Sequence, residues 1–153
     1  PEELARHIRN LWPEAPGKPY VVCTGGEPLL QLDAPLIEAL HREGFEVGVE
    51  TNGTLPAPEG IDWLCVSPKA DAPVVLEACD ELKLVYPQPL AMPERFTDIN
   101  ASHYFLSPMA SPTVSEGEPD PIKQSNTRKA TYYCLTHPQW RLTLQMHKII
   151  GID

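Results

Sequence analysis

The sequence predicts a single α/β domain over residues 1–153, built on a mostly parallel sheet. Short apolar segments alternate with segments of helical periodicity, which is the pattern of repeated strand–helix units. The length of 153 residues fits one domain, and a hydrophobic content of 42% suffices for a core. A partial barrel and an open doubly wound sheet both fit the right-handed crossovers of such units. In either architecture, ligands bind at the carboxyl ends of the strands.

The first half of the chain predicts two helices and three strands. Apolar residues at helical spacing indicate a helix over residues 2–11, and the apolar segment from Tyr20 to Cys23 indicates a buried strand. For the second helix, Asp33 is a suitable N-cap and Gly44 a suitable terminator. Two more strands are expected, over residues 45–49 and 61–66.

The second half predicts three further strands, a loop and a third helix. The strands are expected over residues 82–85, 103–106 and 140–144. A short turn of helix is expected over residues 73–78. The segment 111–122 is rich in proline and acidic residues and indicates a surface loop or insertion. A helix is expected over residues 126–137, ended by Pro138.

The charge and the first residues restrict the class of protein. The net charge is −9 and the pI is near 5.0, without the clustered Lys and Arg of a duplex-binding domain, so a small-molecule substrate is favoured over nucleic acid. No apolar run reaches the roughly 18 residues of a membrane span. The start, Pro1-Glu2-Glu3, lacks the features of a signal peptide. We expect a cytoplasmic protein without a membrane partner, whose natural amino terminus lies upstream of Pro1.

The four cysteines do not form a metal-binding motif. Cys23, Cys65, Cys79 and Cys134 are widely spaced, and none belongs to a C-x-x-C pair. Zinc and iron–sulfur sites need closely spaced thiolates. We therefore expect reduced, mostly buried thiols, and no metal ligand among them.

Glycine, proline and polar residues mark the predicted strand ends. They occur in Thr24-Gly25-Gly26-Glu27-Pro28, in Glu50-Thr51-Asn52-Gly53-Thr54, in Ser67-Pro68-Lys69 and in Ser107-Pro108-Met109-Ala110. Lys83 alternates with leucines in the fourth strand, so it faces solvent in an outer strand or the interior of a barrel. Each segment alone is compatible with an ordinary turn. Together they indicate a ligand site, because a glycine pair brings backbone groups close to an ammonium or carboxylate.

These motifs resemble a known family. Gly25-Gly26-Glu27-Pro28 is similar to the glycine-rich motif of the radical S-adenosylmethionine (SAM) superfamily. The segments from Glu50, Ser67 and Leu144 (Leu144-Gln145-Met146-His147-Lys148) resemble, in this order, the 7-carboxy-7-deazaguanine synthase family. The resemblance runs from about Pro1 to the carboxyl terminus and is weakest over residues 111–122.

The resemblance implies a fold and a reaction. The fold is an abridged radical SAM partial (β/α) barrel with a mostly parallel sheet. The implied reaction converts 6-carboxy-5,6,7,8-tetrahydropterin to 7-carboxy-7-deazaguanine with loss of ammonia, in queuosine biosynthesis. The reaction requires a [4Fe–4S] cluster, SAM, Mg²⁺ and an electron donor such as flavodoxin. The resemblance also implies that the enzyme is a homodimer. The cluster cysteines and the magnesium ligand are expected upstream of Pro1, so this fragment alone is expected to be inactive.

The resemblance also implies site residues. Thr24 and the terminal Asp153 correspond to substrate-binding positions. The positions that correspond to SAM binding are Gly25, Gly26, Glu27, Glu50, Ser67, Pro68, Lys69, Ser107, Pro108, Met109 and Ala110. Residues 107–110 are less polar than the family pattern. No catalytic residue is assigned, and His147 and Lys148 are given no role.

Two other interpretations remain open from the sequence. A different radical SAM enzyme, such as a glycyl-radical activase, would share the SAM motifs and act on a macromolecule. A binding domain that kept the fold but lost the cluster would share them without any chemistry. The reaction with the carboxypterin distinguishes the first of these, and the coding sequence before Pro1 distinguishes the second.

Overall fold

The computed structural model describes residues 1–12, 16–115 and 117–150, apart from the side chains of His147 and Lys148. The helices are α1 (Glu2–Leu11), α2 (Ala34–Arg42), α3 (Pro121–Thr136) and α4 (Met146–Ile150), with 3₁₀ turns at Pro28–Leu30 and Pro93–Phe96. The strands are β1 (Tyr20–Cys23), β2 (Glu46–Thr51), β3 (Trp63–Val66), β4 (Ala78–Tyr86), β5 (Asn100–Pro108) and β6 (Trp140–Leu142).

The six strands form one parallel sheet in the order β1-β2-β3-β4-β5-β6, which confirms the predicted α/β class. Strand order in this sheet never reverses, whereas a doubly wound sheet requires a reversal. The sheet is therefore wound in one direction, as in part of a barrel, and this removes the open alternative.

The two faces of the sheet differ in composition. On one face, α2 packs against β2, and α3 packs against β5 and β6. The core side chains lie there in two clusters. Leu82, Leu84 and Leu106 are fully buried at its centre. The opposite face carries charged groups; the Lys83 ammonium of β4, for example, bonds to the Glu50 carboxylate of β2. This alternation confirms that Lys83 points away from its leucine neighbours.

The predicted helical turn over residues 73–78 is wrong. Val74 and Leu76 alternate toward the core instead, and the backbone N–H of Val75 donates to the carbonyl of Gly53 at 2.8 Å. The N–H of Asn100 donates to the carbonyl of Glu77 at 2.9 Å, so the segment leads into β4, which begins at Ala78. Pro73 has no N–H to donate, and period-two burial is better served by an extended chain.

Several boundaries also differ from those predicted. Strand β2 runs on to Thr51, β4 and β5 each have nine residues, and β6 ends at Leu142. Helix α3 begins at Pro121 rather than 126, because Asp120 caps it. The loop predicted over residues 111–122 is therefore shorter at its end. Ser107 and Pro108 were expected after the fifth strand, but they are the last two residues of β5.

The described helices include none that is long and apolar enough to cross a bilayer. The four cysteines are free thiols, and Cys65 is buried. Burial raises the pKa of Cys65 to about 12 and that of Cys79 to about 11, so both stay protonated at neutral pH. Asp153 lies outside the described residues, as do the side chains of His147 and Lys148.

Candidate functional site

An open cavity of about 520 Å³ lies at the carboxyl ends of the strands. Each of the six strands contributes to its wall through its carboxyl end or the loop that follows, as expected for a parallel sheet. Its lining residues are Thr24, Gly25, Gly26, Glu50, Thr51, Asn52, Ser67, Lys69, Lys83, Val85, Ser107, Thr143, Leu144 and Gln145. The volume is that of an ordinary small-molecule pocket.

The loop after β1 brings main-chain groups to the cavity. Gly25 and Gly26 have φ values of +82° and +50°, a region that side chains disfavour. A Cβ atom at either position would meet no other atom within 4 Å. Backbone conformation, rather than lack of space, therefore explains the two glycines, and their peptide groups are open to a ligand.

Glu27 does not line the cavity, and its carboxylate fastens this loop to the end of β2. Its Oε1 accepts hydrogen bonds from the Thr51 hydroxyl at 2.6 Å and from the Leu29 N–H at 3.0 Å. Its Oε2 accepts from the Asn52 N–H at 2.8 Å. A carboxylate used in this way has a structural task, because its lone pairs are directed into the protein.

The turn after β2 is held by short side-chain bonds. The buried Thr51 hydroxyl accepts from the Gly53 N–H at 3.1 Å, and the Asn52 side chain accepts from the Thr54 N–H at 2.9 Å. Gly53 has φ +79°, and a Cβ there would lie 2.9 Å from Val66 and from Val74. This glycine is therefore required both by conformation and by close packing.

An ion pair lies at the cavity floor. The Lys83 ammonium donates to the Glu50 carboxylate at 2.9 Å, and a Glu81 oxygen lies 3.9 Å from it. Burial by itself lowers the pKa of Lys83, but the bond to Glu50 outweighs it, and the pKa lies above that of free lysine. Lys83 therefore stays charged and holds the Glu50 carboxylate in place.

Lys69 is the second ammonium in the wall, and its position is electrostatically less favourable. Its Nζ donates to the Ser67 hydroxyl at 3.0 Å. Lys69 is exposed overall, yet nearby protein atoms reduce the hydration of its ammonium and lower its pKa, and Lys83 lowers it further. An anionic ligand group would offset both effects, so this side of the cavity is suited to a carboxylate.

The structure gathers most of the residues that the sequence predicts for the site. Seven line the cavity: Thr24, Gly25, Gly26, Glu50, Ser67, Lys69 and Ser107. Glu27, Pro68, Pro108 and Met109 do not line it. Ala110 lines a separate cavity of about 260 Å³, under the loop that precedes α3. The residues near 108–110 are directed elsewhere because β5 continues to Pro108.

Several lining residues were not predicted as site residues. They are Thr51, Asn52, Lys83, Val85, Thr143, Leu144 and Gln145. The signal for Lys83 was present, since a lysine that alternates with leucines in a parallel strand faces the lumen once the sheet curves. Thr143 to Gln145 follow β6, whose end the sequence placed two residues too late.

No group of three or more His, Cys, Asp or Glu that could hold a metal ion occurs in the part of the chain that the structure describes. The cavity instead offers peptide groups, two ammonium groups, a carboxylate and hydroxyls. This donor set suits an organic ligand that carries both an ammonium and a carboxylate.

The chain resembles known proteins of one family along nearly its whole length. The family model of the radical SAM superfamily matches residues 1–84. The 7-carboxy-7-deazaguanine synthase of Caulobacter vibrioides is 52% identical over 99% of this chain and 68% of its own length. That of Bordetella pertussis is 55% identical over 97% of this chain and 67% of its own length.

A solved structure agrees in fold. The crystal structure of QueE from Escherichia coli superposes with a TM-score of 0.61 at 26% identity, over 94% of this chain and 61% of that one. The chain thus spans about two thirds of the length of the curated relatives and somewhat less of the solved structure.

Proposed function

The chain belongs to the 7-carboxy-7-deazaguanine synthase family of the radical SAM superfamily, and from this membership we propose that its cavity binds SAM for the ring contraction of 6-carboxy-5,6,7,8-tetrahydropterin. The product is 7-carboxy-7-deazaguanine, and ammonia leaves. The observation that carries the proposal is the placing of the Gly25–Gly26 peptide groups, Ser67, Lys69 and Glu50 around one cavity.

SAM has the chemical groups that this donor set fits. The methionine ammonium needs acceptors, which the carbonyl groups of Gly25 and Gly26 supply. The methionine carboxylate needs cationic or hydroxyl donors, which Lys69 and Ser67 supply. The ribose hydroxyls need an acceptor, and the Glu50 carboxylate, fixed by Lys83, is available at the floor. This match between donor set and ligand is argued for SAM, and not for the cluster or the pterin.

The described residues do not fit the iron–sulfur cluster, because they contain no group of metal-ligating side chains. We propose that cysteines outside these 153 residues ligate it, and that the magnesium ligand also lies outside them. With SAM bound, such a cluster would supply radical chemistry, and the residues of this chain that would hold SAM are Gly25, Gly26, Ser67 and Lys69. In this proposal, the residues of this chain bind and orient SAM.

Other roles are carried over from the family. Thr24 lines the cavity next to the glycine pair, in keeping with a contact to the pterin. Asp153 is proposed as a second substrate contact. Glu27 is proposed to act only by shaping the loop, because its carboxylate is used by Thr51, Leu29 and Asn52. We also propose that the enzyme is a cytoplasmic homodimer and that it receives electrons from a donor such as flavodoxin.

The deciding experiment uses the holoenzyme that contains this chain, reconstituted with iron and sulfide. Incubation with SAM, the carboxypterin and dithionite is expected to give 5′-deoxyadenosine, methionine and 7-carboxy-7-deazaguanine, identified by mass spectrometry. Cleavage of SAM without the deazapurine would favour an activase. Failure to bind or cleave SAM would favour a binding domain without chemistry.

A matched pair of variants tests the cavity itself. Glu50→Gln removes the charge of the floor carboxylate and is expected to raise the KM for SAM by about tenfold. Glu59→Gln makes the same change at an exposed position away from the cavity, and its KM should equal that of the unmodified enzyme. Equal KM values for both variants would contradict the proposed SAM site.

A further inference from the structure

A single arginine fastens the loop that follows β3. The Arg95 guanidinium donates to the carbonyl groups of Ala70 at 2.7 Å, Asp71 at 2.8 Å and Ala72 at 2.8 Å, and also to that of Leu90. Three of these four acceptors are consecutive residues of one turn. A planar guanidinium with five donors is suited to such an arrangement, whereas a lysine ammonium is not.

The turn has an unfavourable backbone conformation. Ala70 has φ +46°, in the left-handed region that residues with a Cβ disfavour. The turn has an internal bond, in which the Ala72 N–H donates to the Lys69 carbonyl at 3.2 Å. The Ala70 N–H donates to the Gln88 side chain. Both polar groups of the Ala70 backbone are thus bound by residues that follow β4.

Arg95 is itself held in place. It belongs to the 3₁₀ turn Pro93–Phe96, and its guanidinium lies 5.4 Å from the ring centre of the buried Phe96. The neighbouring Glu94 accepts a hydrogen bond from the Tyr133 hydroxyl of α3 at 2.9 Å. The connection between β4 and β5 is therefore anchored to the core and can serve as a fixed support for the loop after β3.

The residue immediately before this turn is Lys69. Its ammonium occupies a place in the cavity wall where hydration is reduced and where Lys83 is near. Its described polar contact in the wall is the 3.0 Å bond to the Ser67 hydroxyl. A free lysine side chain would move to better hydrated positions. The position of its backbone therefore decides whether the ammonium is presented to the cavity.

We propose that Arg95 is a positioning residue, which fixes the turn over residues 69–72 and so holds the Lys69 ammonium in the cavity wall for the anionic group of the ligand. Arg95 does not line the cavity and has no contact with the ligand in this proposal. The identity of that ligand as SAM rests on the proposed function, whereas the fixing of the turn does not.

Two measurements test the proposal separately. Hydrogen–deuterium exchange of the full-length protein that contains this chain, without SAM, reports on the turn independently of any ligand. In Arg95→Ala we expect the amides of Ala70 and Ala72, which donate to Gln88 and Lys69, to exchange about tenfold faster, and guanidinium ions at tens of millimolar to restore their protection. Arg42→Ala is the matched control, since Arg42 is an exposed arginine that pairs with Glu2 far from the turn. Unchanged exchange in Arg95→Ala would overturn the proposal.

The second measurement uses the reconstituted holoenzyme. Arg95→Ala is expected to raise the KM for SAM by about tenfold with kcat changed less than about threefold, and guanidinium ions should restore the KM. Arg95→Lys keeps the charge but cannot reach three consecutive carbonyl groups, so its KM should stay raised. A fall in kcat alone, or full recovery by lysine, would overturn the positioning role. If the unmodified enzyme does not bind SAM, the proposed function fails, and the exchange result still decides the role of Arg95.

Discussion

Among single residues, Glu27 shows how far a motif predicts a role. The family resemblance implies that Glu27 binds SAM, because it belongs to Gly25-Gly26-Glu27-Pro28. In the structure its two oxygens accept three hydrogen bonds from residues of the next loop and of its own turn. A motif identifies which residues a site requires, but the direction of a side chain depends on donors that are distant in sequence, here Thr51 and Asn52.

The first prediction concerns this carboxylate. Glu27→Gln leaves one acceptor oxygen and places an amide N–H₂ against donors, so at least one partner stays unsatisfied. We expect the free energy of unfolding to fall by about 1–3 kcal/mol, measured by urea denaturation. Glu59→Gln, an exposed control, should change it by less than about 0.5 kcal/mol. Equal stabilities for the two variants would show that the three bonds contribute nothing.

Lys69 and Lys83 illustrate the effect of environment on identical side chains. Burial, with the nearby Lys83 charge, lowers the pKa of Lys69. Burial acts in the same direction on Lys83, but Glu50 reverses it and raises the pKa. No sequence pattern separates these cases, because the difference depends on which strands are neighbours in the sheet.

The second prediction follows from these opposite shifts. A lowered pKa means that more of the amine is neutral at a given pH, and only the neutral amine is acylated. In an acylation experiment over a range of pH, followed by mass spectrometry, Lys69 should reach half-maximal labelling at a lower pH than free lysine does, and Lys83 at a higher pH. In Glu50→Gln the opposing charge is gone, so the midpoint for Lys83 should fall. Coincident midpoints for both lysines would contradict the cavity electrostatics.

For helices and strands, the sequence predicts that an element is present better than it predicts where the element begins and ends. All six strands and the first three helices were predicted, α1 and α2 from apolar residues at helical spacing and β1 from a short apolar segment. Their ends depend on groups that no periodicity contains. Strand β4 has nine residues because β5 pairs along almost all of it, and α3 begins five residues early because Asp120 caps it. The prediction of a helical turn over residues 73–78 was wrong for the same reason, because this segment bonds to Gly53 and Asn100, which are distant in sequence.

The third prediction concerns the start of α3. One Asp120 oxygen accepts from the Lys123 N–H at 2.8 Å and the other from the Ser111 N–H at 2.7 Å. These backbone bonds lower the pKa of Asp120 in the folded protein, that to Lys123 most. The stabilisation is therefore present above the unfolded pKa near 4 and is lost as the pH falls through the lower folded value.

We expect Asp120→Ala to reduce stability at pH 7 and to weaken its decline below pH 4, both measured by urea denaturation. Asp33→Ala is the matched control, because Asp33 caps α2 through one bond, to the Leu36 N–H at 3.0 Å. It should cost about 1 kcal/mol, as usual for an N-cap, and less than Asp120→Ala. A larger loss in Asp33→Ala would show that the bond to Ser111 has no effect.

In the molecule as a whole, the order of the strands separates two tasks. In this sheet, which winds in one direction, α2 and α3 pack on one face, so that face forms the core and the other is left for a ligand. The sequence predicted parallel strands but allowed a doubly wound order as well, because local periodicity does not determine which strands are neighbours. The register of the sheet places Lys83 beside Glu50, and the sequence alone could not.

The final prediction uses adjacent residues of β4 that face opposite sides of the sheet. Leu84 is fully buried in the core, so Leu84→Ala should lower the free energy of unfolding by about 2–5 kcal/mol. Lys83→Met keeps the apolar stem and removes the charge of a pair whose Glu50 carboxylate is 43% exposed, so its cost in stability should be only about 0–1 kcal/mol.

The KM for SAM, measured on the holoenzyme at a temperature where both variants are folded, should show the opposite order of effects. Lys83→Met should raise it by about tenfold because Glu50 loses its partner, and Leu84→Ala should leave it nearly unchanged. If the lysine variant unfolded as readily as the leucine variant, or if both bound SAM normally, the two faces would not have separate tasks.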